Sequence, residues 1–320
     1  MSWKRNSRNP LLTRESIPRI APELVDATSV FNPGAVSVDG TTVLLLRVQS
    51  RGRRTILLKA ESDDGIGFRV AERVVELRGL ETEGDTVHHV YDPRITQLDG
   101  TYYVMLALDL DSGCRLGLSR TTDFRVLEFL GPPSDCGLRN GVLFPEKIGG
   151  RYARLERPND VRRASGAATG DEIRLSTSDD LLHWRVEGTV IRGRPHYWDE
   201  LIGSGPPPFK TRAGWLHVYH GVATHLGGCI YQAGALLLDL QDPTRVLARS
   251  RNNMLEPREP YEQVGQVPNV VFPSGLIVDR IDDDGFALPE SNVRLYYGAA
   301  DTCVALATTT VRDLLAMCED

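Results

Sequence analysis

The segment HHVYDPRIT, residues 88–96, contains the carboxylate that is best placed for acid chemistry. Asp92 precedes Pro93, and a residue before proline is biased towards extended backbone. An aspartate held in this way at the entrance of a strand is a candidate general acid if burial raises its pKa. The alternative is that the Asp-Pro pair only caps a turn, which is a common use of these two residue types.

Three basic side chains stand beside predicted strands in a way that favours anion binding. Arg139 in GLRNGVLF and Arg157 in RLERP each lie at a strand end, and three prolines in GPPPFK stiffen the approach to Lys210. Arginine pairs bidentately with phosphate oxygens, and lysine adds a compact charge. If the three side chains converge, they predict a site for a dianion such as phosphate. If they do not, they are ordinary solvated charges.

Histidine and tryptophan give weaker signals. The motif WLHVYHG places Tyr219 and His220 at a strand end, and His217 lies three positions before His220. Side chains alternate along a strand, so these two histidines face opposite sides and a metal centre is not expected. Trp198 is either a platform for a sugar ring or an anchor for its loop. No glycine-rich phosphate loop and no GxSxG motif is present.

The elements that would position these side chains repeat along the chain. Each of five copies has an apolar strand, a short gap, a second apolar strand and then a Ser/Thr/Asp cluster. The second strands begin near Ile56, Leu116, Ile173, Ile230 and Val304. A long fixed period built from short strands indicates a radial repeat whose side chains converge on one central funnel. The sequence therefore predicts an all-β fold, a five-bladed β-propeller.

The repeat predicts one catalytic domain rather than two. We place an extended N-terminal tail at residues 1–27, the five-bladed propeller at 28–310 and a short C-terminal helix at 311–320. Strand-and-turn signals such as VSVDGTTVLLLRV, with its Asp-Gly turn, fill the middle region. The extended tail is suited to contacts between subunits, so a homo-oligomer is one possibility.

Composition narrows the class of partner and compartment. The 320 residues carry a net charge of −6, which disfavours a nucleic-acid partner. No stretch has the roughly 20 apolar residues of a membrane span, and the start lacks the apolar core of a secretion signal. The five cysteines are odd in number and widely spaced, which fits a reducing cytoplasm better than a disulfide framework or a zinc site.

The motifs resemble, in combination, those of glycoside hydrolase family 130, the β-mannoside phosphorylases and related β-mannosidases. The resemblance covers most of the chain, from residue 31 to residue 302. The motifs that carry it occur in the expected order: FNPGA, DPRIT, RNGVLFPEKI, LERP, GPPPFK, YHG, PNVVFPSG and YYGAADT. The family fold is a five-bladed β-propeller, which agrees with the repeat count.

The resemblance implies roles for individual residues. Asp92 corresponds to the family's general acid, which donates its proton through the 3-hydroxyl of the bound mannose. The implied phosphate-binding residues are Arg139, Asn140, Arg157, Lys210 and His220. The implied mannose contacts are Asn32, Arg47 and Asp301, and we add Tyr91, Trp198 and Tyr219 as further candidates for substrate binding.

The chemistry of these residue types is consistent with phosphorolysis. An inverting hydrolase needs a second carboxyl group to activate water. Inorganic phosphate is already an anionic nucleophile, and it needs positioning and charge compensation more than a base. We therefore expect inverting phosphorolysis of a mannoside oligosaccharide to α-mannose 1-phosphate, with phosphate as co-substrate and no cofactor.

Alternatives stay open at this point. Many family members have Glu before the Asp of the DPR motif, whereas this chain has Tyr91, which leaves the subfamily and the acceptor sugar undetermined. Hydrolysis by water would need Glu146 or Glu200 as the second carboxylate. A non-catalytic glycan-binding propeller, or motifs that only pack the blades, would also be compatible with the pattern.

Overall fold

A computed structural model describes residues 3–82, 84–159 and 170–319, and it confirms the five-bladed β-propeller. The strands of blade 1 are Ala27–Val38, Thr41–Ser50, Thr55–Ser62 and Arg69–Val74. Those of blade 2 are Val87–Leu98, Thr101–Leu110, Gly113–Thr121 and Val126–Phe129, with Glu76–Arg78 added in parallel at the outer edge. Those of blade 3 are Leu138–Leu143, Tyr152–Pro158, Glu172–Ser178 and Arg185–Arg192.

Blades 4 and 5 complete the ring. The strands of blade 4 are Leu201–Ser204, Phe209–Thr211, Gly214–His225, Gly228–Leu238 and Val246–Arg249. Those of blade 5 are Val271–Val278, Asn292–Ala299 and Cys303–Thr310. Within the described ranges, three short helices lie at Arg14–Ser16, Pro260–Gln263 and Val311–Glu319. The described part of the chain contains no helix with the length and apolarity that a membrane span requires.

The strands of the blades are apolar in unbroken runs because neighbouring blades cover both of their faces. In the second strand of blade 1, the consecutive residues Val43, Leu44, Leu45 and Leu46 are all at most 2% exposed. Alternation of apolar and polar residues would instead have indicated a sheet with one solvent-exposed face. Tight turns join the strands, and the Asp39–Gly40 pair has the positive φ angles, 47° and 83°, that a two-residue hairpin requires.

The first strand of each blade lies nearest the axis, and four of these five inner strands are interrupted by a shift in register. The shifts fall between Phe31 and Gly34, Tyr91 and Arg94, Arg139 and Val142, and Pro273 and Gly275. A bulge of this kind inserts a residue and re-aims its side chain. The repeated bulges therefore give each of these blades a place from which to present a polar side chain to the funnel.

The N-terminal segment, expected as an extended tail, contributes a strand to blade 5. Lys4–Arg5 pairs antiparallel with Cys303–Thr310, with Lys4 opposite Thr308. Arg5 donates from Nε and Nη2 to the two carboxylate oxygens of Glu262 at 2.8 and 2.9 Å, and Glu262 is fully buried. Residues from both ends of the chain thus close the ring. The domain boundaries drawn from the sequence stay a prediction.

Candidate active site

A cavity of about 230 Å³ opens on the propeller axis, and every blade contributes to its wall. Its lining residues are Asn32, Arg47, Tyr91, Asp92, Arg139, Tyr231, Val267, Val270, Phe272 and Asp301. Six of these ten residues were singled out from the sequence. The cavity is therefore the place where the predicted sugar contacts, the predicted acid and one of the predicted phosphate ligands meet.

Asp92 lies in the bulge of the inner strand of blade 2, and its φ of 53° is left-handed instead of the extended conformation that Pro93 was expected to favour. Aspartate tolerates this left-handed conformation better than most residues. Its Oδ1 accepts hydrogen bonds from Asn32 Nδ2 and Arg47 Nη1, both at 3.0 Å. Burial on its own would raise the pKa of Asp92, but the guanidinium groups of Arg47, Arg94 and Arg139 hold it below its usual value. Without a ligand, the carboxylate is therefore ionised.

Arg94, which the sequence analysis did not single out, supports Asp92 from the axis. It is 1% exposed, and its Nε donates to the carbonyl oxygen of Gly205 in blade 4 at 2.7 Å. Its Nη1 approaches the backbone oxygen of Asp92 at 3.4 Å. The available signal was its position two residues after Asp92 in the DPR motif. Arg94 fixes the backbone that carries the acid and adds positive charge beside it.

Asp301 is the second carboxylate of the cavity, and it lies in the turn after the middle strand of blade 5. Burial raises the pKa of Asp301 to about 6, Arg47 opposes this shift, and the charge of Asp92 adds to it. Two carboxyl groups in one cavity thus have opposite tendencies to hold a proton. Asp301 is suited to exchange hydrogen bonds with a sugar hydroxyl either as a donor or as an acceptor.

Tyr91 separates the two arginines that line the cavity. Its ring centroid lies 4.7 Å from Arg47 Cζ and 5.4 Å from Arg139 Cζ. Its hydroxyl donates to Asp109 Oδ1 at 2.6 Å and accepts a hydrogen bond from Arg139 Nη2. Burial is the largest cause of its raised pKa, so the phenol stays neutral. The tyrosine is a component of the site wall.

Arg139 and Arg157 lie directly opposite each other on the first two strands of blade 3. Arg157 is 5% exposed. Burial, followed by the charge of Arg139, lowers its pKa to about 10, although Tyr231, Cys114 and Asp92 favour the charged form. A half-buried and a buried guanidinium group on directly paired residues are suited to an anion between them, which would offset their mutual repulsion.

His220 and Asn140 lie beside these arginines. A Cβ atom on Gly203 would stand 2.5 Å from His220 Cε1 and 2.6 Å from Asn140 Oδ1, so both side chains crowd the same glycine. Burial, followed by the charges of Arg157 and Arg94, holds the pKa of His220 well below its usual value. His220 is therefore a neutral hydrogen-bonding group, and it packs on Phe272 with ring centroids 4.6 Å apart.

The structure does not bring Lys210 to this group. Lys210 lies opposite Trp215, which is five residues before His220 on the same strand, and this separation corresponds to roughly 17 Å. Its Nζ lies 2.8 Å from Glu146 Oε1 and 4.4 Å from the ring centroid of Phe286. The structure therefore does not show the expected convergence for Lys210, because the short strand Phe209–Thr211 pairs with residues 214–216, which precede His220 on the same strand.

Trp198 and Tyr219, both named as candidates for substrate binding, also lie outside the cavity. Their rings stack with centroids 5.7 Å apart, and the indole Nε1 of Trp198 donates to the carbonyl oxygen of Arg251 at 3.0 Å. Tyr219 is fully buried and donates to Asp199 Oδ2 at 2.7 Å. Alternation along the strand turns Tyr219 away from the face that His220 occupies. Trp198 is the loop anchor that the sequence left as its alternative role.

Four cavity residues were missed by the sequence analysis. Phe272 was part of the quoted motif PNVVFPSG, and this was the available signal for it and for Val270. Tyr231 and Val267 had no comparable signal, because neither lies within the motifs that carry the family resemblance. The ring centroids of Tyr231 and Phe272 lie 6.1 Å apart, and together these residues form the apolar side of the cavity.

The fold and the cavity define a class of protein, a five-bladed propeller whose axial pocket combines a carboxylate with arginine side chains. A family model described as beta-1,4-mannooligosaccharide phosphorylase matches residues 3–320. The chain therefore belongs to glycoside hydrolase family 130, as its motifs indicated.

Individual relatives agree with this family assignment. The β-1,4-mannooligosaccharide phosphorylase of Ruminococcus albus is 32% identical to this chain over 320 residues, which cover 98% of this chain and 89% of that protein. The 1,2-β-oligomannan phosphorylase of Thermoanaerobacter sp. is also 32% identical, with 97% and 98% covered. The structure of β-1,2-mannobiose phosphorylase from Listeria innocua with β-1,2-mannobiose has a TM-score of 0.82 and 26% identity, with 99% of each chain covered.

Proposed function

We propose that this protein is a β-mannoside phosphorylase, which transfers a mannosyl unit from a β-mannoside to inorganic phosphate with inversion and releases α-mannose 1-phosphate. The observation that carries the proposal is the meeting of Asp92 with Arg139 and Arg157 at one axial site. The relatives named above as phosphorylases of β-1,4- and β-1,2-linked mannosides support the reaction class.

The arginine side of the cavity would hold the nucleophile. Arg139 and Arg157 lie in register on neighbouring strands, and bidentate pairing would fix phosphate oxygens in orientation as well as in charge. Asn140 and His220 are buried and can add hydrogen bonds without adding charge. Because the nucleophile is already an anion, positioning and charge compensation are the main contributions that this part of the protein would make.

The carboxylate side of the cavity would hold the mannose and deliver the proton. Asn32, Arg47 and Asp301 surround Asp92, where the resemblance places the sugar contacts. In the free protein, Arg139 is one of the charges that keep Asp92 ionised. A phosphate dianion bound to Arg139 would offset this charge and raise the pKa of Asp92. Binding of the nucleophile would thereby favour the protonated acid, which donates through the 3-hydroxyl of the mannose.

Hydrolysis by water is the less favoured alternative because its expected second carboxylates lie elsewhere. Glu146 pairs with Lys210 at 2.8 Å. Glu200 accepts a hydrogen bond from the backbone N–H of Thr224 at 2.7 Å. Neither residue lines the cavity that contains Asp92. A base at either position would have no access to water beside the bound sugar.

The test is to incubate the purified protein with β-1,4- and β-1,2-mannobiose, with and without phosphate, and to follow the products by ³¹P and ¹H NMR. We expect α-mannose 1-phosphate only when phosphate is present, and we expect Asp92→Asn to abolish its formation while leaving the thermal unfolding cooperative. Equal release of free mannose in both conditions would reject the proposal. The reverse reaction, with glucose, N-acetylglucosamine, mannose and mannan as acceptors, would identify the acceptor sugar.

Further features of the proposed enzyme follow from the chemistry of the site. We expect inorganic phosphate to be required as a co-substrate and no cofactor to be needed, so dialysis against a chelator should leave the rate unchanged. A reducing, cytoplasmic location and a homo-oligomeric state stay predictions from the cysteine usage and the N-terminal segment.

A further inference from the structure

Asp109 is a carboxylate at the edge of the cavity that has no role in the reaction described so far. It lies on the second strand of blade 2, where it is opposite His89 and therefore diagonal to Tyr91, which is opposite Ala107. Diagonal neighbours on one face of a sheet are within reach of long side chains. The Tyr91 hydroxyl uses this position to donate to Asp109 Oδ1 at 2.6 Å.

Asp109 also contacts the arginine on the far side of Tyr91. Arg139 Nη2 donates to the Tyr91 hydroxyl and lies 3.7 Å from Asp109 Oδ1. The three groups form a closed triangle in which the phenol is both donor and acceptor. Arg139 Nε is buried and has no partner among the described residues, so the Nη2 contacts are the ones that set the rotation of the guanidinium plane.

We propose that Asp109 is a positioning residue that orients Arg139, partly through the Tyr91 hydroxyl, for bidentate contact with the phosphate nucleophile. This inference rests on the proposed phosphorolysis. At position 91 this chain has a phenol, and Asp109 supplies a carboxylate from the neighbouring strand. The geometry of the arginine is then set by a hydrogen-bonded unit of Tyr91 and Asp109.

The charge of Asp109 and its hydrogen bonds have opposite consequences for phosphate binding. A carboxylate near the anion site repels a phosphate dianion, so removal of the charge alone would favour binding. Loss of orientation would weaken binding, because a bidentate contact needs the guanidinium plane held in one direction. The two effects are separable, since asparagine keeps the Oδ1 acceptor for Tyr91 and alanine removes it.

The experiment measures kcat and KM for phosphate and for the mannoside separately in Asp109→Ala, Asp109→Asn, Tyr91→Phe and the double variant Asp109→Ala/Tyr91→Phe. We expect Asp109→Ala and Tyr91→Phe each to raise KM for phosphate by about tenfold, which corresponds to one charge-assisted hydrogen bond. KM for the mannoside should change much less in Asp109→Ala. The effect of the double variant should fall well short of the product of the two single effects, and Asp109→Asn should retain most of the wild-type affinity for phosphate.

The matched control is Asp111→Ala. This variant removes an exposed carboxylate that lies just after the same strand and pairs with His88. It should leave both KM values unchanged. If Asp109→Ala leaves KM for phosphate unchanged while the reaction of the wild type depends on phosphate, the positioning role is wrong and the proposed function stands. If the two single effects multiply in the double variant, Tyr91 and Asp109 act independently and the proposal is also wrong. If the wild type releases free mannose at the same rate without phosphate, both proposals fall.

Discussion

Asp92 and Asp301 share one cavity, yet their surroundings favour opposite charge states. Asp92 faces three guanidinium groups, and these outweigh its burial. Asp301 is held mainly by its burial, and its pKa rises to about 6. Ionisation of Asp301 therefore lowers the free energy of unfolding, whereas ionisation of an ordinary salt-bridged aspartate raises it.

We predict that Asp301→Asn stabilises the protein at pH 8 while it reduces activity. A folded pKa of about 6 against an ordinary value of 3.8 means that the unfolded state loses its proton first, so wild-type stability falls as the pH rises through this window. With about 1.4 kcal/mol for each pKa unit, the variant should gain about 2 to 3 kcal/mol at pH 8. Urea unfolding at pH 8 and near pH 4 measures the gain, which should almost vanish at the lower pH. A gain that is the same at both pH values would contradict this origin.

A second prediction separates the two kinds of cation that the sequence grouped together. Arg157→Ala should raise KM for phosphate by 10- to 100-fold, because it removes charge-assisted hydrogen bonds of about 1.5 to 3 kcal/mol. Lys210→Ala should change this constant less than twofold, since Lys210 pairs with Glu146 and does not line the cavity. Initial rates at varied phosphate measure both effects. A large effect of Lys210→Ala alone would mean that the lysine reaches the nucleophile after all.

Inner strands and their bulges are the elements that bring polar side chains to the axis. The inner strand of blade 4 differs from the other four, since it shows no register shift and instead uses Gly203 to leave room for the ring of His220 from its partner strand. A glycine is needed here for close approach of neighbouring groups. The φ angle of this residue is not in the left-handed range, so any L-residue could adopt its backbone.

We predict that Gly203→Ala lowers kcat/KM by at least tenfold and destabilises the fold by about 1 to 3 kcal/mol, because the new methyl group would displace His220 and Asn140. Gly227→Ala in the hairpin of the same blade is the matched control, since a Cβ atom there meets nothing within 4 Å. Kinetics and thermal unfolding of both variants test the prediction. Equal behaviour of the two variants would show that His220 and Asn140 tolerate displacement.

The elements were more predictable from the sequence than the directions of the side chains. The repeat of strand pairs, and the apolar runs such as VLLLR in blade 1, predicted the number of blades because burial on both faces leaves a periodic trace. Asn32, Arg47, Asp92 and Arg139 were placed together because their motifs matched a family pattern. Lys210 and Tyr219 stand in equally familiar motifs, but neither lines the cavity. Strand alternation points Tyr219 away from the face of His220, and the pairing of the strand Phe209–Thr211 places Lys210 far from His220. The role of Asp109 was not visible, since it depends on a diagonal contact that no local pattern encodes.

At the scale of the whole molecule, the ring is closed in blade 5, which combines the N-terminal strand Lys4–Arg5 with three strands from residues 271–310. Arg5 and Glu262 connect these ends, and Tyr297 donates a further hydrogen bond to Glu262 Oε1 at 2.7 Å. Glu262 is fully buried, so loss of its cationic partner would leave an uncompensated charge in the interior. The Arg5–Glu262 ion pair therefore stabilises the closed ring, and its loss would destabilise the fold.

We predict that Arg5→Ala destabilises the protein by about 3 to 5 kcal/mol, the range for breaking a buried ion pair from one side. Lys4→Ala is the control, because Lys4 lies in the same short strand but its side chain is exposed. Chemical denaturation of both variants measures the difference, and Arg5→Ala/Glu262→Gln should recover part of the loss. A destabilisation below 1 kcal/mol for Arg5→Ala would show that the ring closes without this contact.

The pairing of Lys4 with Thr308 also constrains the order of events during protein synthesis. All residues from Lys4 to Thr308 must be synthesised before Lys4–Arg5 can pair with its partner strand. Until then, the outer strand of blade 5 lacks its partner strand, and Glu262 lacks its ion pair with Arg5. Nascent chains of this protein are thus expected to need protection from aggregation until the last strand, Cys303–Thr310, has left the exit tunnel.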